Sequence, residues 1–120
     1  MDDPVVVSIA SQADIVLLRM SVRDAARAAG LSLADQAKIS LATSSVAEAA
    51  GVNGRNQGRA TIATCSRDGR VGTQVTCIVL DDSRGKWPQV LSGIEWMVDE
   101  LTVEPFSPGQ IQIRLIKWKA

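Results

Sequence analysis

The first third of the chain changes from a short β-branched run to apolar positions with helical spacing. Val5–Ile9 follows Pro4 and is strongly β-branched, which predicts a first strand at an edge of a sheet. Over 12–29 the apolar positions instead step by three and four, which predicts one buried face of a helix: Ile15, Leu18, Val22, Ala25 and Ala29. We expect Gly30 to end this helix in a left-handed C-cap.

A second helix is predicted directly after the first. Ser32 and Asp35 have the spacing of a capping box, with Asp in place of the commoner Glu or Gln. The helix is expected to run to Ala50 and to stop at Gly51. It is rich in Ala, Ser and Thr, so it can lie close to a sheet or to another helix. The polar, glycine-containing segment 52–58 then predicts a loop.

The centre of the chain has the pattern of a β-hairpin. An Asp-Gly pair stands between Arg67 and Arg70, and a two-residue turn of this type joins the predicted strand 59–66 to the apolar run 75–80. Counting outward from the turn pairs Ile62 with Val75 and Ala60 with Cys77. The same register places Cys65 opposite Gly72 and on the other face from Cys77, so a disulfide between the cysteines is not expected.

The last third predicts one more helix and two strands. Pro88 suits the first turn of a helix over 88–100, whose inward positions would be Val90, Ile94, Met97 and Val98. Strands are expected over 101–106 and 111–118, joined by a turn at 107–110.

These elements predict a single α/β domain over residues 1–120. Their order is β-α-α-β-β-α-β-β. The order favours a two-layer sandwich in which a mixed, mainly antiparallel sheet carries its helices on one face.

Composition excludes several classes of function. Thirteen basic residues balance thirteen acidic ones, which argues against a nucleic-acid groove. The chain has no histidine, and this removes Ser-His-Asp and Cys-His catalytic sets and most zinc sites. No apolar stretch has membrane-spanning length and the first residues do not resemble a secretory signal, so we expect a cytoplasmic protein with reduced thiols and no membrane partner.

The predicted strand 75–80 ends in a group of polar residues, and ligand sites of α/β proteins commonly lie at such strand ends. Asp81 and Asp82 follow the strand directly, then Ser83 and Gly85. Adjacent strand residues point to opposite faces, so the two aspartates cannot form a close pair and only one can serve a site. The alternative is that both simply end the strand.

Three stretches resemble the kinase-like ATPases of the bacterial anti-sigma-factor and stress-response switch class, which have the Bergerat (GHKL) fold. The stretch 33–44 (Leu-Ala-Asp-Gln-Ala-Lys-Ile-Ser-Leu-Ala-Thr-Ser) is similar to the beginning of that family's asparagine-box helix. The stretch 79–85 (Val-Leu-Asp-Asp-Ser-Arg-Gly) is similar to its first glycine box, Asp-x-Gly-x-Gly. The stretch 92–101, running into 109–115, is similar to its last helix and closing strands.

The resemblance implies an ATP or ADP site, but the helical motif departs from the family pattern. In the family this helix carries a catalytic Glu and, four residues later, an Asn that binds magnesium. Those places hold Ser45 and Ala49. A serine without a nearby base and an alanine without an oxygen do not replace these groups, which argues against a magnesium site and against phosphoryl transfer.

The glycine box is kept only in part. Asp81, which in the family contacts the adenine amino group, and Gly85 are present, whereas Ser83 stands where the first glycine should be. The segment 86–92 is too short for the family's ATP lid, and the second glycine box is missing. The resemblance therefore implies Asp81, Ser83 and Gly85 as nucleotide contacts if binding is retained, and no catalytic residue.

Three hypotheses follow from the sequence. The first is a catalytically degenerate regulatory module that binds a STAS-domain antagonist, a sigma-factor-like protein or a second copy of itself. The others are a competent ATP-binding serine kinase, and an unrelated α/β ligand-binding or scaffold domain. A partner-binding module should expose an apolar patch, for which Trp87, Trp96 and Trp118 are candidates. Trp118, between two lysines near the chain end, is the expected exposed anchor.

Overall fold

A computed structural model describes residues 4–51, 58–81 and 86–120 and confirms the α/β class. It contains one five-stranded sheet, three α-helices and a 3₁₀ turn. In chain order the elements are β1 (Val5–Ile9), α1 (Gln12–Ala28), α2 (Leu33–Ala50), β2 (Gly58–Arg67), β3 (Arg70–Leu80), α3 (Trp87–Ile94), the 3₁₀ turn (Glu95–Met97), β4 (Glu100–Ser107) and β5 (Gln110–Trp118). Among the described helices, none is both long and apolar enough to cross a lipid bilayer.

The sheet has the strand order β1-β2-β3-β5-β4, and each pair of neighbours is antiparallel. The expectation of a mixed sheet is therefore wrong for the described strands. Two antiparallel helices separate β1 from β2, so the chain returns in the opposite direction. The crossover through α3 does make β4 parallel to β3, but β5 lies between these two strands and is antiparallel to both.

The predicted hairpin register is confirmed. Arg67 pairs with Arg70 across the turn, Ile62 pairs with Val75, and Cys65 lies opposite Gly72. Both turn residues have positive φ angles, 52° at Asp68 and 79° at Gly69. Positive φ angles at both positions are typical of an Asp-Gly pair in a two-residue hairpin turn. The backbone twist of such a turn matches the twist of the flanking strands.

One face of the sheet packs against the helices and forms the core. Alternate residues of the three central strands point into it: Ala60, Ile62, Val75, Cys77, Val79, Ile113 and Leu115. The helices contribute the stripe predicted for α1 and the small residues of α2, including Ile15, Leu18, Val22, Ala42, Val46 and Ala47. The remaining residues of β2, β3, β5 and β4 point to the opposite side, which we call the open face.

The helix ends follow the sequence signals in α1 and α2 but not in α3. Gly30 has a φ angle of 87°, and the amide of Leu31 donates to Ala26 O at 3.0 Å, as in a Schellman cap. Ser32 Oγ accepts from the amide of Asp35 at 3.2 Å and caps α2. The helix predicted over 88–100 instead ends at Ile94 and tightens into the 3₁₀ turn, because Asp99 must already bond to β5.

Candidate functional site

The end of β3 and the end of α2 lie toward the same end of the sheet. Lys117 Nζ lies 3.7 Å from Asp35 Oδ1 in the first turn of α2, and Lys117 pairs with Thr73 near the start of β3. The beginning of α2 is thus fixed beside the beginning of β3. Since the two elements contact each other and begin side by side, their C-terminal ends lie toward the same end of the sheet, where the nucleotide site was expected.

Asp81 is half-buried and follows β3 directly. Its amide donates to Gly109 O at 2.9 Å, which ties the end of β3 to the turn between β4 and β5. Continuing the alternation of the strand from Val79 would place its side chain on the helix side of the sheet. Ser83 and Gly85, the other two expected nucleotide contacts, lie outside the described residues.

The two degenerate positions of α2 offer no catalytic group. Ser45 Oγ donates to Leu41 O at 3.0 Å, so its proton is used within the helix. Ala49 packs partly against the core. The nearest carboxylate on the helix, Glu48, is exposed and lies 3.5 Å from Arg19 Nη2 on α1. Ser45 and Ala49 therefore offer neither a general base nor a carboxylate or amide oxygen for a metal ion.

Trp87 begins α3 at the place where a lid would start. Only 6% of its surface is exposed, and it belongs to the core cluster. Its Nε1 is buried and has no hydrogen-bond partner in the described part of the chain. Lys86 Nζ lies 5.4 Å from the centre of the indole ring. Trp87 is therefore a core residue and is excluded as part of an exposed patch.

The groove identified in the structure is at the other end of the sheet. It has a volume of about 260 Å³ and lies between the second half of α1 and the adjoining strands, with Ala25, Ala28 and Ile62 among its lining residues. This volume is below the range common for small-molecule pockets. Asp81 is not among the residues that line this groove, whereas a small apolar pocket behind Asp81 would have favoured the ligand-binding hypothesis.

The expectation that Trp118 is an exposed anchor is wrong, because its exposed fraction is 4%. It pairs with Gly72 on the open face, and the absence of a side chain there makes room for the indole. The guanidinium carbons of Arg67 and Arg70 lie 5.2 and 4.8 Å from the ring centre. The two arginines cover the tryptophan from the hairpin, a contact that the sequence position of Trp118 did not indicate.

Glu100 joins Trp118, Arg67 and Arg70 in one cluster of side chains on the open face. Its Oε2 accepts a hydrogen bond of 2.8 Å from Trp118 Nε1, and both carboxylate oxygens accept from Arg67 Nη1, at 2.9 and 3.0 Å. The bonds from Arg67, and next the bond from Trp118, lower the pKa of Glu100. The cluster therefore holds the indole by a hydrogen bond at Nε1 and by two arginines over the ring, which gives it a structural role.

Exposed apolar residues occur on the solvent side of the helices, and others, among them Val6 and Phe106, are exposed on the strands. Val16, Leu17 and Met20 stand on one turn of α1 and are 54%, 52% and 58% exposed. We call these three residues the α1 patch. Leu41 on α2 is also 52% exposed, and Trp96 in the 3₁₀ turn is 65% exposed. The signal was present in the sequence, because these α1 residues lie outside the stripe that faces the core.

Within the part of the chain that the structure describes, no three Cys, Asp or Glu side chains group in a way that could hold a metal ion. Neither a protein-family model nor a curated protein sequence matches the chain.

Proposed function

We propose that this chain is a regulatory signalling module that binds another protein and does not transfer phosphate. Its fold would be a Bergerat-like variant of the anti-sigma-factor and switch kinases that it resembles. The partner would be a STAS-domain antagonist, a sigma-factor-like protein or a second copy of the chain. The observation that carries the proposal is the α1 patch.

The α1 patch has the character of a contact surface. Single exposed apolar residues are common, but three adjacent ones on a helix form a continuous apolar surface. The helix is anchored by its opposite stripe, so it presents the patch on a rigid element. Burying a side chain such as Met20 against a partner contributes about 1.5–3 kcal/mol.

The side chains of α2 support the proposal that the chain does not transfer phosphate. Ser45 uses its hydroxyl within the helix, Ala49 has no donor atom, and Glu48 faces solvent beside Arg19. Phosphoryl transfer depends on positioned charge and on magnesium ligands, and these positions provide neither. Asp81 keeps a half-buried place at the end of β3, so binding of a nucleotide without chemistry is compatible with the proposal.

The test of partner binding compares two variants, each of which replaces an exposed apolar residue with glutamate. Met20→Glu places a charge in the α1 patch, and Leu33→Glu places one at a 77% exposed apolar residue in the first turn of α2. Each purified protein is titrated calorimetrically with STAS-domain and sigma-factor proteins of the same genome, and its self-association is measured by sedimentation equilibrium. We expect Met20→Glu to weaken the complex at least about tenfold and Leu33→Glu to leave it unchanged.

The nucleotide arm tests the kinase alternative. The wild type is titrated with ATP and with ADP, each with and without magnesium, and Asp81→Asn serves as the control for adenine contact. Binding that depends on magnesium would overturn the proposal and restore the kinase hypothesis. A complex that both glutamate variants form equally well would show that the α1 patch is not the interface.

A further inference from the structure

The open face has an uneven charge although the chain as a whole is neutral. Among the described residues, the strands place four arginines and two glutamates on this face: Arg59, Arg67, Arg70, Arg114, Glu100 and Glu104. The acidic residues that balance them are elsewhere, so the open face carries a local positive excess.

Three of these arginines have a contact that explains their position. Arg67 is paired with Glu100 and covers Trp118, and Arg70 covers the same ring. Arg59 lies over Phe106 with its guanidinium carbon 5.5 Å from the ring centre. The fourth, Arg114, makes no ion pair and no side-chain hydrogen bond with the described residues.

Arg114 is half-buried near the middle of β5, and its Nε is a buried donor without a partner among the described residues. Because the residue is only half-buried, an oxyanion would accept from the two terminal nitrogens of the planar guanidinium along parallel bonds, and not from Nε. No carboxylate of the described residues takes this place. Glu100 is held by Arg67 and Trp118, and Glu104 is diagonal to Arg114 across the β4–β5 pair without contacting it.

Hydroxyl groups surround Arg114 in a single cross-strand row. Thr76 on β3 and Thr102 on β4 are its direct neighbours, and Thr61 on β2 pairs with Thr76. Side chains so paired have Cβ atoms about 5 Å apart. Thr76 Oγ1 accepts from Gln74 Nε2 at 3.5 Å, which leaves its own proton available to a ligand.

The row lies between two larger groups. Arg59 and Phe106 stand beyond it on the side of Ile78, and Trp118 with its two arginines stands beyond it on the side of Gly72. The short threonine side chains stand between these larger groups, and Arg114 itself is only half-buried.

We infer that the open face binds an oxyanion at Arg114, with the hydroxyls of Thr76 and Thr102 as additional donors. The ligand class is a phosphate or carboxylate group. The inference is independent of the proposed function, because it concerns the face of the sheet opposite to the helices.

The test follows the Nε–Hε signals of the arginines by NMR in the full chain labelled with ¹⁵N. Inorganic phosphate, acetate and chloride are titrated at equal ionic strength. Arg23, an exposed α1 arginine without an ion pair among the described residues, is the internal control. We expect the Arg114 signal to shift and saturate with an oxyanion but not with chloride, at concentrations at least about tenfold below any effect on Arg23.

Two variants complete the experiment. Arg114→Gln should abolish the saturable shifts of the neighbouring amides, and Thr76→Val, which removes a hydroxyl at nearly constant volume, should weaken binding about tenfold. Amide spectra of both variants establish that the fold is kept. Saturation by phosphate alone identifies a phosphoryl ligand, and saturation by acetate as well extends the class to carboxylates. The inference would be overturned if chloride shifted the Arg114 signal as much as the oxyanions do, or if Arg23 responded as strongly as Arg114. Unchanged oxyanion binding by Thr76→Val would overturn it as well.

Discussion

Gly72→Ala tests whether the indole of Trp118 is fixed as tightly as the structure indicates. A Cβ atom at Gly72 would lie 2.6 Å from Lys117 O and 2.9 Å from Trp118 Cε3. The first contact is with backbone, which cannot turn away. The second is with a ring held by Glu100 and covered by two arginines. Either the β3–β5 pairing or the indole must therefore move.

Overpacking of this kind costs about 1–3 kcal/mol, and the alanine recovers about 0.5–1 kcal/mol of backbone entropy. The expected net loss in the free energy of unfolding is about 1–2 kcal/mol. Gly93→Ala is the matched control, because a Cβ in that helical position meets nothing within 4 Å, and it should stabilise by about 0.5–1 kcal/mol. Urea unfolding followed by circular dichroism measures both. A Gly72→Ala variant as stable as the wild type would refute the close packing of Trp118 and would restore it as a mobile anchor.

Two further predictions concern titrating groups. Because Arg67 and Trp118 lower the pKa of Glu100 in the folded protein, that carboxylate stabilises the fold above the ordinary carboxyl range, and the contribution is lost as the pH falls through its lowered pKa. Thermal melting from neutral to acidic pH should therefore show a smaller loss of Tm for Glu100→Gln than for the wild type; equal losses would contradict the cluster. Burial raises the pKa of the Cys77 thiol to about 12, whereas Cys65 is only partly buried. Timed alkylation of the native protein with N-ethylmaleimide, read by mass spectrometry, should modify Cys65 first, and equal rates would be inconsistent with this burial.

The parts of the fold that the sequence predicted depend on local chemistry. The Asp-Gly turn fixes the hairpin register without reference to the rest of the chain, and the register decides which side of the sheet Val75 and Cys65 occupy. The caps at Gly30 and Ser32 are local in the same sense, since each involves backbone groups within one or two turns.

The parts that could not be predicted depend on contacts between distant segments. Nothing in 101–118 indicates that β5 lies between β3 and β4, and this insertion makes the sheet antiparallel. Trp118 illustrates the consequence. Its flanking lysines suggested exposure, but the β3–β5 register places it opposite Gly72 and beneath arginines about fifty residues earlier in the chain.

The parts of the candidate sites differ in how far they could be predicted from the sequence. That Ser45 and Ala49 provide neither a base nor a magnesium ligand could be deduced from residue type alone, and the structure adds that the serine hydroxyl donates within the helix. The α1 patch could also have been found, since Val16, Leu17 and Met20 remain once the core stripe of the helix is assigned. The row around Arg114 could not, because it joins residues of four strands whose order is set by the whole fold.

The two proposals concern opposite sides of the molecule, and this decides how their tests are to be compared. The α1 patch faces solvent from the helices, and Arg114 faces solvent from the other side of a sheet whose core includes Val75 and Leu115. Substitutions at distant sites without shared partners act additively, so Met20→Glu should leave oxyanion binding unchanged and Arg114→Gln should leave partner binding unchanged. If one partner contacted both sides, each substitution would instead weaken the same complex, and its area would have to exceed that of a single helix face. The crossed measurements therefore separate two independent sites from one partner that wraps the domain.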